Sequence, residues 1–324
     1  MTNKRKTLSI VCGCFNEKDN LQELYERLIA VFKKLDGYDY EIIFADNSSS
    51  DGSQDVLREI AALDKNFKVI LNSNNFGHIR SAYNAFLQAS GDAVIGMASD
   101  LQDPPEVIID LVRQWEEGFQ VVVAVKSKIR GNILMPLVRK FYYRMLANIS
   151  DSNDVIRDFT GFGLYDRKFV EALKKYHDPY PYFRGLVSEI GFRRAEIEYV
   201  QDRRKHGQTK NNFFTLYDLA MTGFVNHSKV PLRMATFIGF SVALFSLLVA
   251  IGYFVYKLVF WERFQLGMAP MVIGIFFFGA VQLFFIGIIG EYIGAIYTQV
   301  KNRPLVIEKE RINFDNDDSR AGKD

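Results

Sequence analysis

Two stretches of the chain carry no charge at all, 23 residues from 234 to 256 and 27 residues from 264 to 290. Each exceeds the roughly 20 residues an α-helix needs to cross the hydrocarbon core of a bilayer. Buried core helices rarely run so far without a charged side chain, so the pattern predicts two membrane spans. Their link, 257–263, is short, so the spans form a hairpin with both flanking parts of the chain on one side. Upstream of residue 230 the pattern changes. Short apolar runs at 8–14, 41–46, 68–71, 93–98 and 121–124 suit strands buried on both faces. Helical periodicity fills the intervals at 21–35, 54–63, 80–89 and 105–116, the last starting at Pro104-Pro105, where proline is tolerated in a first turn. Strand–helix alternation predicts an α/β domain with a doubly wound, mostly parallel sheet. Ligands of such sheets bind beyond the strand C-termini.

Composition changes this picture little. The 324 residues hold 40 Lys and Arg against 38 Asp and Glu, a net charge of +2. The balance argues against a nucleic-acid partner held by a basic field. The mean hydropathy of −0.03 is that of an ordinary soluble protein and conceals the hairpin. Cys12 and Cys14 share one face of a strand and read as packing residues, since no further cysteine or neighbouring histidine completes a metal site. His78, His177, His206 and His227 show no ligand spacing.

The position of the charges says more. Lys229 and Arg233 precede the first span and Lys301, Arg303, Lys309 and Arg311 follow the second, whereas the link holds only Lys257 and Arg263. The positive-inside rule then predicts a multi-pass protein of the cell membrane with its large N-terminal part and both termini in the cytoplasm. No apolar stretch opens the chain, so no signal peptide is expected. Residues 315–324 are polar and read as disordered. Two amphipathic stretches support a lipid surface: Ile133, Leu134, Leu137, Phe141 and Met145 interleaved with the basic Arg139, Lys140 and Arg144, and Phe213, Leu216, Tyr217, Ala220 and Phe224 just before the first span.

The predicted strand ends carry polar clusters. Asn16-Glu17 follows the first strand and Asp46-Asn47-Ser48-Ser49-Ser50-Asp51-Gly52 the second. Asn72 ends the third, and Ser99-Asp100-Leu101-Gln102-Asp103-Pro104-Pro105 follows the fourth. Neither a dinucleotide fingerprint nor a phosphate-binding P-loop is present, which disfavours a dehydrogenase and a P-loop NTPase. Carboxylates, amides and hydroxyls suit a base, a ribose and a divalent cation held by oxygen ligands. Asp103 reads equally well as a carboxylate at the start of the following helix.

Cys14-Phe15-Asn16-Glu17, Asp46 to Ser53 and Ser99 to Glu106 resemble the nucleotide-sugar domain of family 2 glycosyltransferases. With Asp158, Arg204-x-x-Gly207-x-Thr209-Lys210, two spans and Gly290-Glu291-Tyr292, the order is similar to the polyprenyl-phosphate branch, relatives of dolichol-phosphate mannose synthase and of bacterial bactoprenol glucosyltransferases. The resemblance implies a GT-A type domain over 1–210, a juxtamembrane amphipathic helix over 211–232, the hairpin over 233–300 and a polar tail over 301–324. It implies inverting, metal-dependent transfer of a hexose, glucose from UDP-glucose first, to undecaprenyl or another polyprenyl phosphate. UDP-N-acetylglucosamine, a modified arabinose donor and GDP-mannose are alternatives. Asn16, Glu17, Asp46, Asn72, Asp100 and Gln102 would contact the nucleotide sugar, with Asp100 and Gln102 as ligands of Mg2+ or Mn2+. Asp158 would act with Asp100 at the reaction centre, and Arg139, Arg204 and Lys210 would hold phosphate. A homo-tetramer is implied as well. Three positions depart from the family pattern: Gly13 stands for a proline, Asn47 for an aspartate and Ala98 for the first carboxylate of its D-x-D motif. Rival readings are a non-catalytic nucleotide-sugar-binding membrane module and a processive polysaccharide synthase, the latter lacking its usual Q-x-x-R-W motif here.

Overall fold

The computed structural model describes residues 5–127, 156, 159–176, 178, 181–202, 230–260 and 268–314. The strands are β1 (Lys6–Cys14), β2 (Tyr38–Asp46), β3 (Phe67–Asn72), β4 (Ala93–Ala98), β5 (Val121–Lys126), β6 (Phe159–Asp166), β7 (Arg194–Tyr199) and β8 (Glu308–Ile312). The helices are α1 (Lys18–Lys34), α2 (Ser53–Leu63), α3 (His78–Gln88), α4 (Ile108–Glu116, entered through a short 3-10 turn at Pro105–Val107), α5 (Arg167–Leu173), α6 (Phe183–Ile190), α7 (Val230–Val259) and α8 (Met268–Val300).

The strands form one sheet in the order β7-β5-β6-β4-β1-β2-β3-β8. β1 pairs in parallel with both β2 and β4, and β2 with β3. β6 runs antiparallel between β4 and β5, so the sheet is mixed on that side, as β8 makes it on the other. The period of two in each strand sorts the core into two layers. Ile10, Cys12, Phe44, Val69 and Ile95 face α1, α2 and α4; Val11, Ile43, Ile70 and Val94 face α3, α5 and α6. Both faces are covered, which is why these strands read as unbroken apolar runs.

α7 and α8 are long and apolar enough to cross a membrane, and none of either span is buried against the rest of the protein. An apolar surface of that size is stable only when lipid or another protein removes it from water. The amphipathic stretches around 133–145 and 213–224, and the polar end after 314, lie outside the described residues.

The segment after α8, expected as a polar tail, returns to the sheet. β8 adds antiparallel to the edge of β3, from Val69 opposite Ile312 to Asn72 opposite Glu308. Arg58 pairs with Glu310 at 2.9 Å, and Asn84 of α3 donates to Glu308 at 2.9 Å. Its sequence, Glu-Lys-Glu-Arg-Ile, reads as polar because an edge strand faces water and is protected by charge from pairing with other chains. Asn313 closes the strand in the left-handed region (φ 62°), its Nδ2 donating to the carbonyls of Ala61, Asp64 and Phe67 at 2.7, 3.2 and 2.8 Å. Asn313→Ala should cost about 1–2 kcal/mol by leaving those carbonyls short of a donor. That is a drop of several degrees in Tm on the order expected for a domain of this size; an unchanged melting curve would show that β8 adds nothing to the sheet.

Candidate active site

β1, β2 and β3 step to one side of the sheet and β4 lies on the other, so the order of strands reverses between β1 and β4. That is the switch point at which α/β sheets bind ligands. A cavity of about 480 Å³ opens there. Its floor is the sheet at Val11, Gly13, Gly96 and Ala98, and α3 and the start of α6 cover it with Ala82, Tyr83, Phe86 and Phe183. Small residues keep it open: a Cβ on Gly13 would stand 3.4 Å from that of Ala82. Glu17, Asn47, Asp100 and Asp103 line it at the strand ends.

Three of the loops at the strand C-termini pass through the left-handed region at a residue other than glycine: Asn16 (φ 57°), Ser48 (φ 66°) and Leu101 (φ 57°). Such strain persists only where surrounding structure enforces it, and it concentrates at functional sites. The loops are cross-braced. Asn16 N–H donates to Ser49 Oγ at 2.8 Å and its Oδ1 accepts from Ser50 N–H at 2.9 Å. Glu17 N–H donates to Ser53 Oγ at 3.1 Å. Ser99 Oγ donates to the Gly13 carbonyl at 2.8 Å, locking the end of β4 to β1. Leu101 turns its side chain into the core beside α4, and the turn leaves Asp100, only 9% exposed, on the cavity wall with its Oδ1 accepting from Gln102 N–H at 3.2 Å.

Asp46 is fully buried. Its Oδ1 accepts from Ser49 N–H at 3.0 Å and Gln54 Nε2 at 2.7 Å, while its Oδ2 is buried with no partner. Asn72 donates to Ser81 Oγ at 2.9 Å and leaves its Oδ1 unpartnered. Asn47 is the hub of these amides: its Nδ2 donates to Asn75 Oδ1 at 2.7 Å and its Oδ1 accepts from Phe76 N–H at 2.9 Å. The position uses both a donor and an acceptor, which an aspartate does not supply.

Asp103 does not cap the following helix, which carries no side-chain cap. Its buried carboxylate accepts from Tyr199 Oη and, at 3.5 Å, from Gln201 Nε2, tying this loop to the end of β7. Burial raises the Asp103 pKa, and the Tyr199 hydrogen bond offsets only part of that. Cys12 and Cys14 are buried and free, and burial drives both thiols far above neutral pH, so neither serves as a nucleophile.

Of the residues expected from sequence, Glu17 and Asp100 line the cavity. Asn16, Asp46 and Asn72 shape the loops around it, and Gln102 follows Asp100 without lining it. Arg139, Asp158, Arg204 and Lys210 lie outside the described residues. The sequence reading passed over Arg184 and Tyr182 and left His78 without a role; all three border the cavity. The signal was Pro181-Tyr182-Phe183-Arg184-Gly185, an arginine set among aromatic rings.

Among the described residues no three His, Cys, Asp or Glu side chains converge as a closed metal site. Ala98 supplies no ligand, and Asp103 is engaged by Tyr199. Asp100 beside Gln102 fits an ion of the magnesium type, which accepts one or two carboxylates and keeps water and substrate phosphate oxygens as its other ligands.

Residues 9–174 match the family model described as Glycosyl transferase family 2. An uncharacterized glycosyltransferase of Bacillus subtilis (strain 168), YkcC, is 34% identical over 313 residues, covering 95% of each chain. The SfII prophage-derived bactoprenol glucosyl transferase of Shigella flexneri is 33% identical over 304 residues, covering 94% of this chain and 97% of that protein. Among solved structures, the mannosyltransferase PcManGT of Pyrobaculum calidifontis, in complex with GDP-Man and Mn2+, aligns over 93% of this chain and 88% of its own at 14% identity, with a TM-score of 0.47.

Proposed function

The chain belongs to glycosyl transferase family 2, and on that premise we propose that this glycosyltransferase moves a hexose from a nucleotide diphosphate sugar to a polyprenyl phosphate at the cytoplasmic face of a membrane. The observation that carries the reading is one chain holding both a strand-end cavity walled by Asp100 and two helices fit for lipid. A soluble donor and an insoluble acceptor meet only at such a boundary. Relatives named bactoprenol glucosyl transferase support undecaprenyl phosphate as acceptor and glucose as the sugar, and UDP-glucose is the donor to try first. Basic residues flanking both spans support the cytoplasmic orientation.

Asp46 and Asn72 lie beneath the loops that a base and ribose would approach, and their orphan Oδ2 and Oδ1 leave hydrogen-bonding capacity unused there. Asp100 and Gln102 would hold Mg2+ or Mn2+, which supplies charge neutralisation to the leaving diphosphate. The acceptor needs no strong base: a phosphate monoester is largely dianionic at neutral pH, its second pKa being about 6. One of its oxygens forms the new bond to the anomeric carbon while the bond to the nucleoside diphosphate breaks, the electron pair leaving with the diphosphate. A single displacement inverts that carbon. Asp158, by the same reading, orients the acceptor or faces the positive charge of the sugar, and Arg139, Arg204 and Lys210 add cations for phosphate.

Full-length protein in membranes, given UDP-[14C]glucose and undecaprenyl phosphate, should place label in an organic-extractable lipid. Exhaustive chelation with EDTA should suppress transfer at least ~10-fold, and Mg2+ or Mn2+ should restore it, as expected when a bound ion stabilises the leaving group. Full activity after chelation would refute the metal. Label that stays water-soluble with every donor tried would favour a binding module in which Ala98 marks a lost ligand.

A further inference from the structure

The cavity has two poles of opposite sign. Glu17, Asp100 and Asp103 line it from the strand ends; His78 and Arg184 line it from the first turns of α3 and α6. The backbone that carries Arg184 is anchored by packing. Phe183 packs its ring against Tyr83, Phe86, Tyr165 and Phe169, with centroids 5.2 to 6.5 Å apart. That cluster joins α3 to α6 and pins the backbone one residue before Arg184. Among the described residues Arg184 makes no salt bridge, and its charge is felt at His78, whose pKa is lowered by lost hydration first and by Arg184 second. The histidine is therefore held toward its neutral form, a donor and acceptor within reach of the field of one guanidinium.

Two anions must meet in the proposed reaction. The donor diphosphate would be tolerated at the carboxylate pole because a divalent ion held by Asp100 and Gln102 would supply the charge that offsets the repulsion. A phosphate monoester without its own metal is repelled there and requires a protein cation. A guanidinium presents the planar, two-pronged donor that fits phosphate. We infer that Arg184, with His78 and the ring of Tyr182 beside it, forms the subsite for the phosphate group of the lipid-linked acceptor, distinct from the carboxylate pole that takes the donor diphosphate. This rests on the proposed transfer to a polyprenyl phosphate, whose acceptor group it locates.

The test uses purified full-length protein in detergent, with geranyl phosphate as a soluble isoprenyl monophosphate and UDP with Mg2+ as the donor probe, both measured by calorimetry. Arg184→Gln should weaken geranyl phosphate by about 10- to 100-fold, the cost of one charge-assisted hydrogen-bonded contact, and leave UDP within about twofold. Arg184→Lys should fall between, keeping the charge and losing the fork. Retained UDP affinity reports that each variant is folded. Equal losses for both ligands, or undiminished geranyl phosphate binding, would overturn the assignment. Inorganic phosphate binding wild type as tightly as geranyl phosphate would overturn the lipid-linked part of it. A wild-type protein that binds UDP but no isoprenyl phosphate would instead overturn the proposed acceptor class, and the subsite with it.

Discussion

Asp100→Asn is expected to lower glycosyl transfer by about three orders of magnitude, a loss near 4 kcal/mol of transition-state stabilisation. The substitution is nearly isosteric and keeps an oxygen to accept the Gln102 N–H, so the turn held by buried Leu101 survives. What disappears is the negative charge. Ala98 offers no carboxylate and Asp103 is already bonded to Tyr199, so neither takes its place. A hard cation bound through one carboxylate loses most when that carboxylate becomes an amide. Turnover in membranes, a thermal melt and UDP binding with and without Mg2+ separate the effects. The expected variant melts like wild type and loses the metal-dependent part of its UDP affinity. Turnover within tenfold of wild type would remove Asp100 from the reaction centre.

Glu41→Ala is expected to cost about 3–5 kcal/mol of stability, the range for breaking a buried ion pair from one side. Glu41 lies at the opposite end of the sheet from the cavity, its side chain 5% exposed. It accepts from Lys68 Nζ at 2.7 Å, from Ser90 N–H and Oγ at 2.9 Å each, and from Ser9 Oγ, whose oxygen in turn accepts from Gly91 N–H at 2.9 Å. Alanine strands all of these donors and a half-buried ammonium. A fall in Tm on the order of 10 °C should follow for a domain of this size, with kcat per folded molecule unchanged. Burial alone would raise the Glu41 pKa; the hydrogen bonds from Lys68, Ser9 and Ser90 outweigh it and hold the carboxyl below its ordinary value. The sign of the pH effect follows. The unfolded state binds this proton more readily, so the contribution is complete above the ordinary carboxylate range and is lost as pH falls through the depressed folded value. Wild type should therefore lose stability on acidification more steeply than Glu41→Ala. Parallel acid-unfolding curves would show that the network contributes nothing specific.

Much of the fold was legible along the chain. β1 to β5 and α1 to α4 announce themselves because a parallel strand buried on both faces must be apolar throughout, and its crossover helix must be amphipathic. The two long helices α7 and α8 were legible from their charge-free stretches, 234–256 and 264–290. β7 and β8 were not. Arg-Ala-Glu-Ile-Glu-Tyr and Glu-Lys-Glu-Arg-Ile are edge strands that meet water, and their polarity is indistinguishable from that of loops. Nothing local distinguishes 308–312 from a tail; only the exposed edge of β3 makes it a strand.

The site divides along the same line. Asp100 and Glu17 were legible because polar residues following buried strands have few other uses. Asn16 and Asp46, expected to contact the nucleotide sugar, lie in the loops around the cavity, and their hydrogen bonds to Ser49, Ser50 and Gln54 show bracing that no spacing rule encodes. Arg184 stands more than eighty residues from Asp100 in sequence and reaches the same cavity only because Phe183 is caught in a ring cluster with Tyr83 and Phe86 of α3. By itself the sequence determined the class of chain: an α/β domain with polar strand ends, joined to a hairpin that water will not solvate. Local periodicity and hydropathy suffice for that, because each element's burial is written in its own residues. The tertiary structure alone decided which polar groups share a cavity, which carboxylates are already engaged, and where the chain beyond α8 goes. Those depend on contacts between residues distant in sequence, whose partners exist only after the sheet has formed.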